Sequence, residues 1–75
     1  MRISVVSTPG IKGENLPRSF QLGARRVPVV AILERWQAPT HRYFQVRDLH
    51  GRRFVLRHDP QSGRWELTAV YGRAD

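Results

Sequence analysis

The groups in this 75-residue chain that could do chemistry are thirteen basic side chains (all arginine except Lys12), six carboxylates, three imidazoles and seven aromatic rings. There is no cysteine, which excludes a thiolate nucleophile and a thiolate metal site. No serine sits in a G-x-S-x-G elbow; Ser62 precedes Gly63 in a stretch where turn chemistry accounts for it. The carboxylates are Glu14, Glu34, Asp48, Asp59, Glu66 and Asp75. Asp48 and Asp59 belong to turns, Glu66 faces Arg57, and Asp75 is the last residue, so no facing acid and base is placed. His41 and His58 fall near Arg42, with only Asp59 to neutralise a bound metal, which makes a poor ligand set. These two and His50 are expected as exposed strand-end histidines. No enzymatic activity, metal or other cofactor is expected.

What remains is arginine gathered beside a tight bend. If Leu49-His50-Gly51 is a three-residue loop, a type I turn closed by glycine in the left-handed region, Asp48 faces Arg52. Val46 then faces Phe54 and Phe44 faces Leu56 on one side of the sheet. On the other side Arg47 faces Arg53, Gln45 faces Val55 and Tyr43 faces Arg57. Two guanidinium groups directly opposite one another repel by about a few tenths of a kcal/mol or more, which a bridging anion relieves. Tyr43, Arg47, Arg53 and Arg57, flanked by Arg64, are therefore the candidate nucleic-acid-binding residues: cations for phosphates and a ring for a base. A solvated face accounts for the same residues, with Glu66 neutralising Arg57 and Tyr43 laid on Arg57 as a cation–π pair. A lone aromatic counts against a stacking platform, and both readings stay open.

The elements that must position these residues are strands. Phe44 and Val46, Phe54 and Leu56, then Trp65, Leu67 and Ala69 recur at every second position, the mark of a strand with one buried face. A second hairpin turns through Asp59-Pro60-Gln61-Ser62-Gly63, with proline opening a type I turn and glycine ending it. A four-residue loop there pairs Arg57 with Glu66, Leu56 with Leu67, and Phe54 with Ala69. Upstream, residues 2 to 7 read as a strand, Ser7 to Arg18 as a loop rich in proline and glycine, and Ser19 to Leu22 as a short strand turning at Gly23-Ala24. Arg26 to Trp36 reads as one long strand with a break in phase near Ala31, which turns Val29, Ile32 and Trp36 inward; Pro28 implies an edge or a bulge. Gly10-Ile11-Lys12-Gly13 is a G-x-x-G without flanking helices, hence a connector rather than an RNA clamp. The expected fold is all-β: a small five-stranded antiparallel meander curled into an SH3-like or similar small barrel, with Trp36 and Trp65 inside. It forms a single domain, in which residues 1–16 supply an N-terminal strand and Pro/Gly loop to the antiparallel β domain of residues 17–75.

Phe20-Gln21-Leu22-Gly23, Val27 and Val29, Ile32, Leu33 and Trp36, Arg42-Tyr43-Phe44, Val46, Gly51, Phe54, Leu56, His58-Asp59 and Gly63, Trp65 and Leu67 together form a recognisable pattern. From Pro17 to Tyr71 it resembles a bacterial domain-of-unknown-function family of short all-β proteins. The spacing of the two tryptophans about the hairpins is its most specific part. The resemblance implies fold more than site, because most matched positions are core or turn residues. It also implies a link to DNA repair or damage tolerance, since members occur beside genes for Y-family DNA polymerases. Val27 departs from the aromatic usual in that family, and Met1 to Leu16 lies outside the match.

Composition bounds the rest. A chain of this length buries only about 60% of its unfolded surface, so its core is thin and dimerisation would help. The net charge of +7 suits an anionic partner, although genomic base composition or adaptation to heat also enriches arginine. No apolar run approaches a membrane span of about 20 residues, and Pro9-Gly10 cuts the N-terminal apolar run short of a signal peptide. The expected setting is cytoplasmic, without a membrane partner or small-molecule substrate. Two functions fit: a basic non-enzymatic module that binds nucleic acid as an accessory to a DNA-processing protein, or an interaction or homodimerisation module that uses an edge strand, Arg26 to Trp36 or Ile3 to Val6.

Overall fold

The structure, a computed structural model, describes residues 1–72; Asp75 lies outside the described residues. Eight strands follow in chain order: β1 (Arg2–Ile3), β2 (Val5–Pro9), β3 (Asn15–Leu22), β4 (Arg25–Pro28), β5 (Ala31–Gln37), β6 (Arg42–Arg47), β7 (Arg53–His58) and β8 (Trp65–Tyr71). They form two antiparallel sheets, one of five strands in the order β1-β8-β7-β6-β5 and one of three in the order β2-β3-β4. No helix occurs among the described residues, so no helix is long and apolar enough to cross a membrane. The fold is all-β, as alternation requires, but it comprises eight strands in two sheets rather than one five-stranded meander.

Both predicted turns form. At the first, Asp48 and Arg52 close the loop through the Asp48 N–H (3.0 Å), and Gly51 takes φ +81°, a conformation open to glycine. The buried Asp48 accepts the backbone N–H groups of His50 and Arg52 on Oδ1, both at 2.9 Å, which fixes the bend. The β6–β7 register has Val46 opposite Phe54, Phe44 opposite Leu56, Arg47 opposite Arg53 and Tyr43 opposite Arg57. At the second turn Asp59 bonds to Arg64 and Gly63 takes φ +77°. Arg57 faces Glu66 and Leu56 faces Leu67, but the ladder then slips: Val55 faces Ala69 and Phe54 faces Val70, not Ala69. The extra residue, Thr68, forms a bulge, and its Oγ1 donates to the Val55 carbonyl at 3.2 Å.

Upstream the expected elements are re-cut. The strand of residues 2 to 7 changes sheets: Ile3 pairs with Trp65, whereas the Ser4 carbonyl accepts the Gln21 N–H. The loop expected from Ser7 to Arg18 shrinks to residues 10–14, because Asn15 to Pro17 pairs with β2. A register shift at Arg18 accommodates the buried Pro17, which has no N–H to give to the ladder. The long strand likewise divides, between Val29, which donates to the Arg18 carbonyl, and Val30, which donates to that of Arg47. Pro28 does end an edge strand.

The core lies between the sheets. Phe20, Phe44, Val46, Phe54 and Leu56 are essentially sealed, joined by Ile3, Val27, Trp65 and Leu67. Phe20 meets Phe54 edge-on at 5.1 Å, and Phe44 lies 5.6 Å from Trp65. Trp36, expected inside, is instead 42% exposed. The reason is a second bulge in the five-stranded sheet, at Leu33. Ile32 pairs with Val46 and Glu34 with Gln45, so Ile32 and Trp36 fall on opposite faces despite their even spacing.

Candidate nucleic-acid interface

Period-two geometry, corrected for the two bulges, sorts the outer face of the five-stranded sheet into rows. One row runs Ala31, Arg47, Arg53, Tyr71; the next Glu34, Gln45, Val55, Ala69; the third Trp36, Tyr43, Arg57, Glu66, Arg2. Four of the five residues expected in the site, Tyr43, Arg47, Arg53 and Arg57, share this face. Arg64 does not join them: it ends the second turn and lines a separate cleft of about 430 Å³ with Ser4, Asn15, His58 and Trp65.

Two aromatics join the array that sequence reasoning places elsewhere or leaves out. Trp36 stacks on Tyr43 with ring centroids 5.3 Å apart and planes 1° from parallel. The anticipated cation–π pair between Tyr43 and Arg57 is therefore replaced by a ring–ring stack. At the other end the Arg53 guanidinium lies 5.6 Å from the centroid of the Tyr71 ring, which is itself half-exposed. Each of these rings faces outward because a bulge precedes it, Leu33 before Trp36 and Thr68 before Tyr71. Alternating Val and Leu residues hide such a parity change, since a bulge residue has no compositional signature of its own.

The cations differ in how they are held. Arg57 donates to Glu66 Oε1 through Nε at 3.2 Å and through Nη2 at 2.5 Å. The pair lowers the Glu66 pKa from its ordinary value and, with help from the Tyr43 hydroxyl, raises that of Arg57. This is the one ion pair among the described residues. Arg47 and Arg53 face each other with no carboxylate in reach, and the buried Arg53 Nε has no hydrogen-bond partner. Val55, between the two arginine rows, is 8% exposed yet lies outside the core cluster, so outer-face side chains cover it.

His58 corrects a further expectation. It is 2% exposed, stacked on Trp65 at 4.2 Å, and its Nδ1 has no partner. Burial lowers its pKa; the Arg42 charge opposite adds to this and Asp59 opposes it. Asp59 caps its turn through Gln61 and Ser62, whose hydrogen bonds lower its own pKa. No cluster of His, Asp or Glu among the described residues could hold a metal. Comparison with family models, with curated proteins and with solved structures finds no match.

Proposed function

We propose that the outer face of the five-stranded sheet binds single-stranded nucleic acid. The observation that carries this reading is the exposed Trp36, stacked on the half-buried Tyr43, on the same face as the unneutralised Arg47–Arg53 pair. Aromatic rings offer stacking surface to any unpaired base, worth about 1–3 kcal/mol per base, and guanidinium groups neutralise the phosphates between bases. The repulsion between Arg47 and Arg53 is relieved by one phosphate bridging the two guanidinium groups. A duplex keeps its bases paired and cannot use the rings, so the preference is for single strands. In architecture we read the two sheets, sharing corners at Ser4 and at Val29-Val30, as an opened SH3-like small barrel. The link to DNA repair rests on the family resemblance alone, and with it the role of accessory to a DNA-processing protein.

Titration of labelled single- and double-stranded oligonucleotides at several salt concentrations tests the reading. Affinity for the single strand should exceed that for the duplex, fall steeply with salt, and drop in Trp36→Ala. Absence of binding at low ionic strength, or binding indifferent to salt, removes it.

One observation favours a second reading. β5 is a free sheet edge that carries exposed Leu33 and Trp36 and follows directly on exposed Val30, a surface that could add to the sheet of a second copy or of another protein. The Leu33 bulge interrupts that edge, a device that commonly discourages such pairing. Light scattering separates the two: a stable dimer indifferent to oligonucleotide supports edge pairing, and a monomer that binds single strands supports the nucleic-acid platform.

A further inference from the structure

The turn between β2 and β3 lies against the ends of β5 and β6, and between them is a cleft of about 530 Å³. Lys12 and Glu14 line it from the turn; Arg35, Trp36, Arg42 and Tyr43 line it from the sheet. Such a volume is in the range that holds a nucleotide-sized ligand. The pairing of Arg35 with Phe44 and of Gln37 with Arg42 puts both arginines on the inner rows. Trp36 and Tyr43 stand on the outer rows, so the cleft begins at the stacked rings and continues round the free edge of β5.

Its charge is unbalanced. Lys12, Arg35 and Arg42 have no ion-pair partner among the described residues. Glu14, the single acidic lining residue, is turned to local use: its Oε1 accepts the Lys12 backbone N–H at 3.3 Å. Its carboxylate lies so close over Gly10 that a Cβ there would overlap it. The carboxylate therefore braces the turn that carries the Lys12 side chain. Three cations around one opening, beside the exposed Trp36 and the half-buried Tyr43 stacked on it, match the alternation of phosphate and base along a strand.

We infer that this cleft takes a backbone phosphate of the strand whose bases stack on Trp36 and Tyr43, with Lys12, Arg35 and Arg42 holding it. The bound strand then rounds the β5 edge instead of ending on the outer face. The inference rests on the nucleic-acid reading above and adds to it a path and a second set of phosphate-binding cations.

The test is a salt series with a labelled single-stranded oligonucleotide against wild type, Lys12→Ala/Arg35→Ala, Arg42→Ala, Arg47→Glu/Arg53→Glu and a charge-matched control, Arg18→Ala/Arg25→Ala, on the three-stranded sheet. Lys12 and Arg35 are exposed, and circular dichroism confirms that each variant is folded; Lys12→Ala alone, at a turn tip, replaces the double variant if that one is not. Removing a cation that neutralises one phosphate should flatten the log–log salt slope by about 0.7 and weaken binding about fivefold at 0.1 M salt. The cleft variants should show that loss of affinity and the control should not. If the cleft variants bind as wild type while Arg47→Glu/Arg53→Glu is impaired, the outer-face reading stands and the cleft inference is wrong. Equal weakening in cleft and control variants also overturns it, by making the effect one of overall charge. If wild type does not bind, both readings fall together.

Discussion

Trp65 and Trp36 lie on opposite faces of one sheet. Trp65 is 6% exposed and packed between Phe44 and His58; Trp36 is 42% exposed and packed on Tyr43. The inner face uses its rings to exclude water, with Phe20, Phe44 and Phe54 meeting across the two sheets. The outer face holds rings of comparable size in the open, beside guanidinium groups that include an unneutralised pair. Two inserted residues produce this difference, because without the bulges at Leu33 and Thr68 the alternation would carry Trp36 and Tyr71 to the inner side. A small domain short of core thus keeps three of its seven aromatics, Trp36, Tyr43 and Tyr71, on the face away from it, two of them placed there by the bulges. The hydrophobic effect gives no reason for that arrangement, and this is what supports the proposed ligand with π-faces.

The widest separation between the faces should appear on truncating the two tryptophans. Trp65→Ala removes a ring from the core and should cost about 3–5 kcal/mol, a large part of the stability of a domain this size. Trp36→Ala should leave the urea midpoint nearly unchanged and weaken single-strand binding instead. Equal destabilisation by the two substitutions would return Trp36 to a structural role and break the contrast.

How much of this is legible in the sequence depends on what sets each feature. The β6–β7 register is readable because Asp48 and Gly51 fix the turn and Phe44, Val46, Phe54 and Leu56 fix the parity. The placement of Arg47, Arg53, Arg57 and Tyr43 on one face follows from it. Parity beyond Leu33 and Thr68 is not readable, since Leu and Thr sit as readily in a regular strand as in a bulge. For the same reason alternation assigns Trp36 to the inside and draws no attention to Tyr71. Both sheet changes escape notice where β-branched runs continue without punctuation: Val29-Val30 looks like the middle of one strand and is a corner between two. His58 reads as exposed because it ends a strand; its burial depends on Trp65 and on β1 across the sheet, neighbours that a local reading does not supply.

A smaller effect should separate the faces by pH. His58 on the inner side has its folded pKa below the ordinary value near 6.5, chiefly through burial. Between that lowered value and about pH 6.5 the unfolded chain takes up a proton that the folded protein excludes. The contribution is therefore fully present above about 6.5 and is lost as the pH falls through this window. Urea midpoints measured from pH 7 to 5 should decline in wild type and decline less in His58→Phe, which keeps a ring against Trp65 without the titrating group. On the outer face Glu66, whose pKa is lowered by Arg57, contributes stability that is lost only as the pH falls below the ordinary carboxylate range near 4. A steeper decline in His58→Phe than in wild type would contradict the assignment.

The smallest expected change is also the one with opposite signs in two assays. Arg47 and Arg53 face each other across β6 and β7 without a counter-charge, so Arg47→Glu replaces a repulsive cross-strand pair with an attractive one. Exposed pairs of this kind shift stability by about a few tenths of a kcal/mol, which should raise the urea midpoint slightly. On the proposed nucleic-acid reading the same substitution replaces a cation that would meet a phosphate with a carboxylate that would repel it, so affinity for a single-stranded oligonucleotide should fall at least about fivefold at 0.1 M salt. A surface arranged only to be solvated would show the gain in stability with affinity unchanged. A gain in stability coupled to weaker binding is what a face held ready for a polyanion should show, because the repulsion it carries when free is the interaction the ligand relieves.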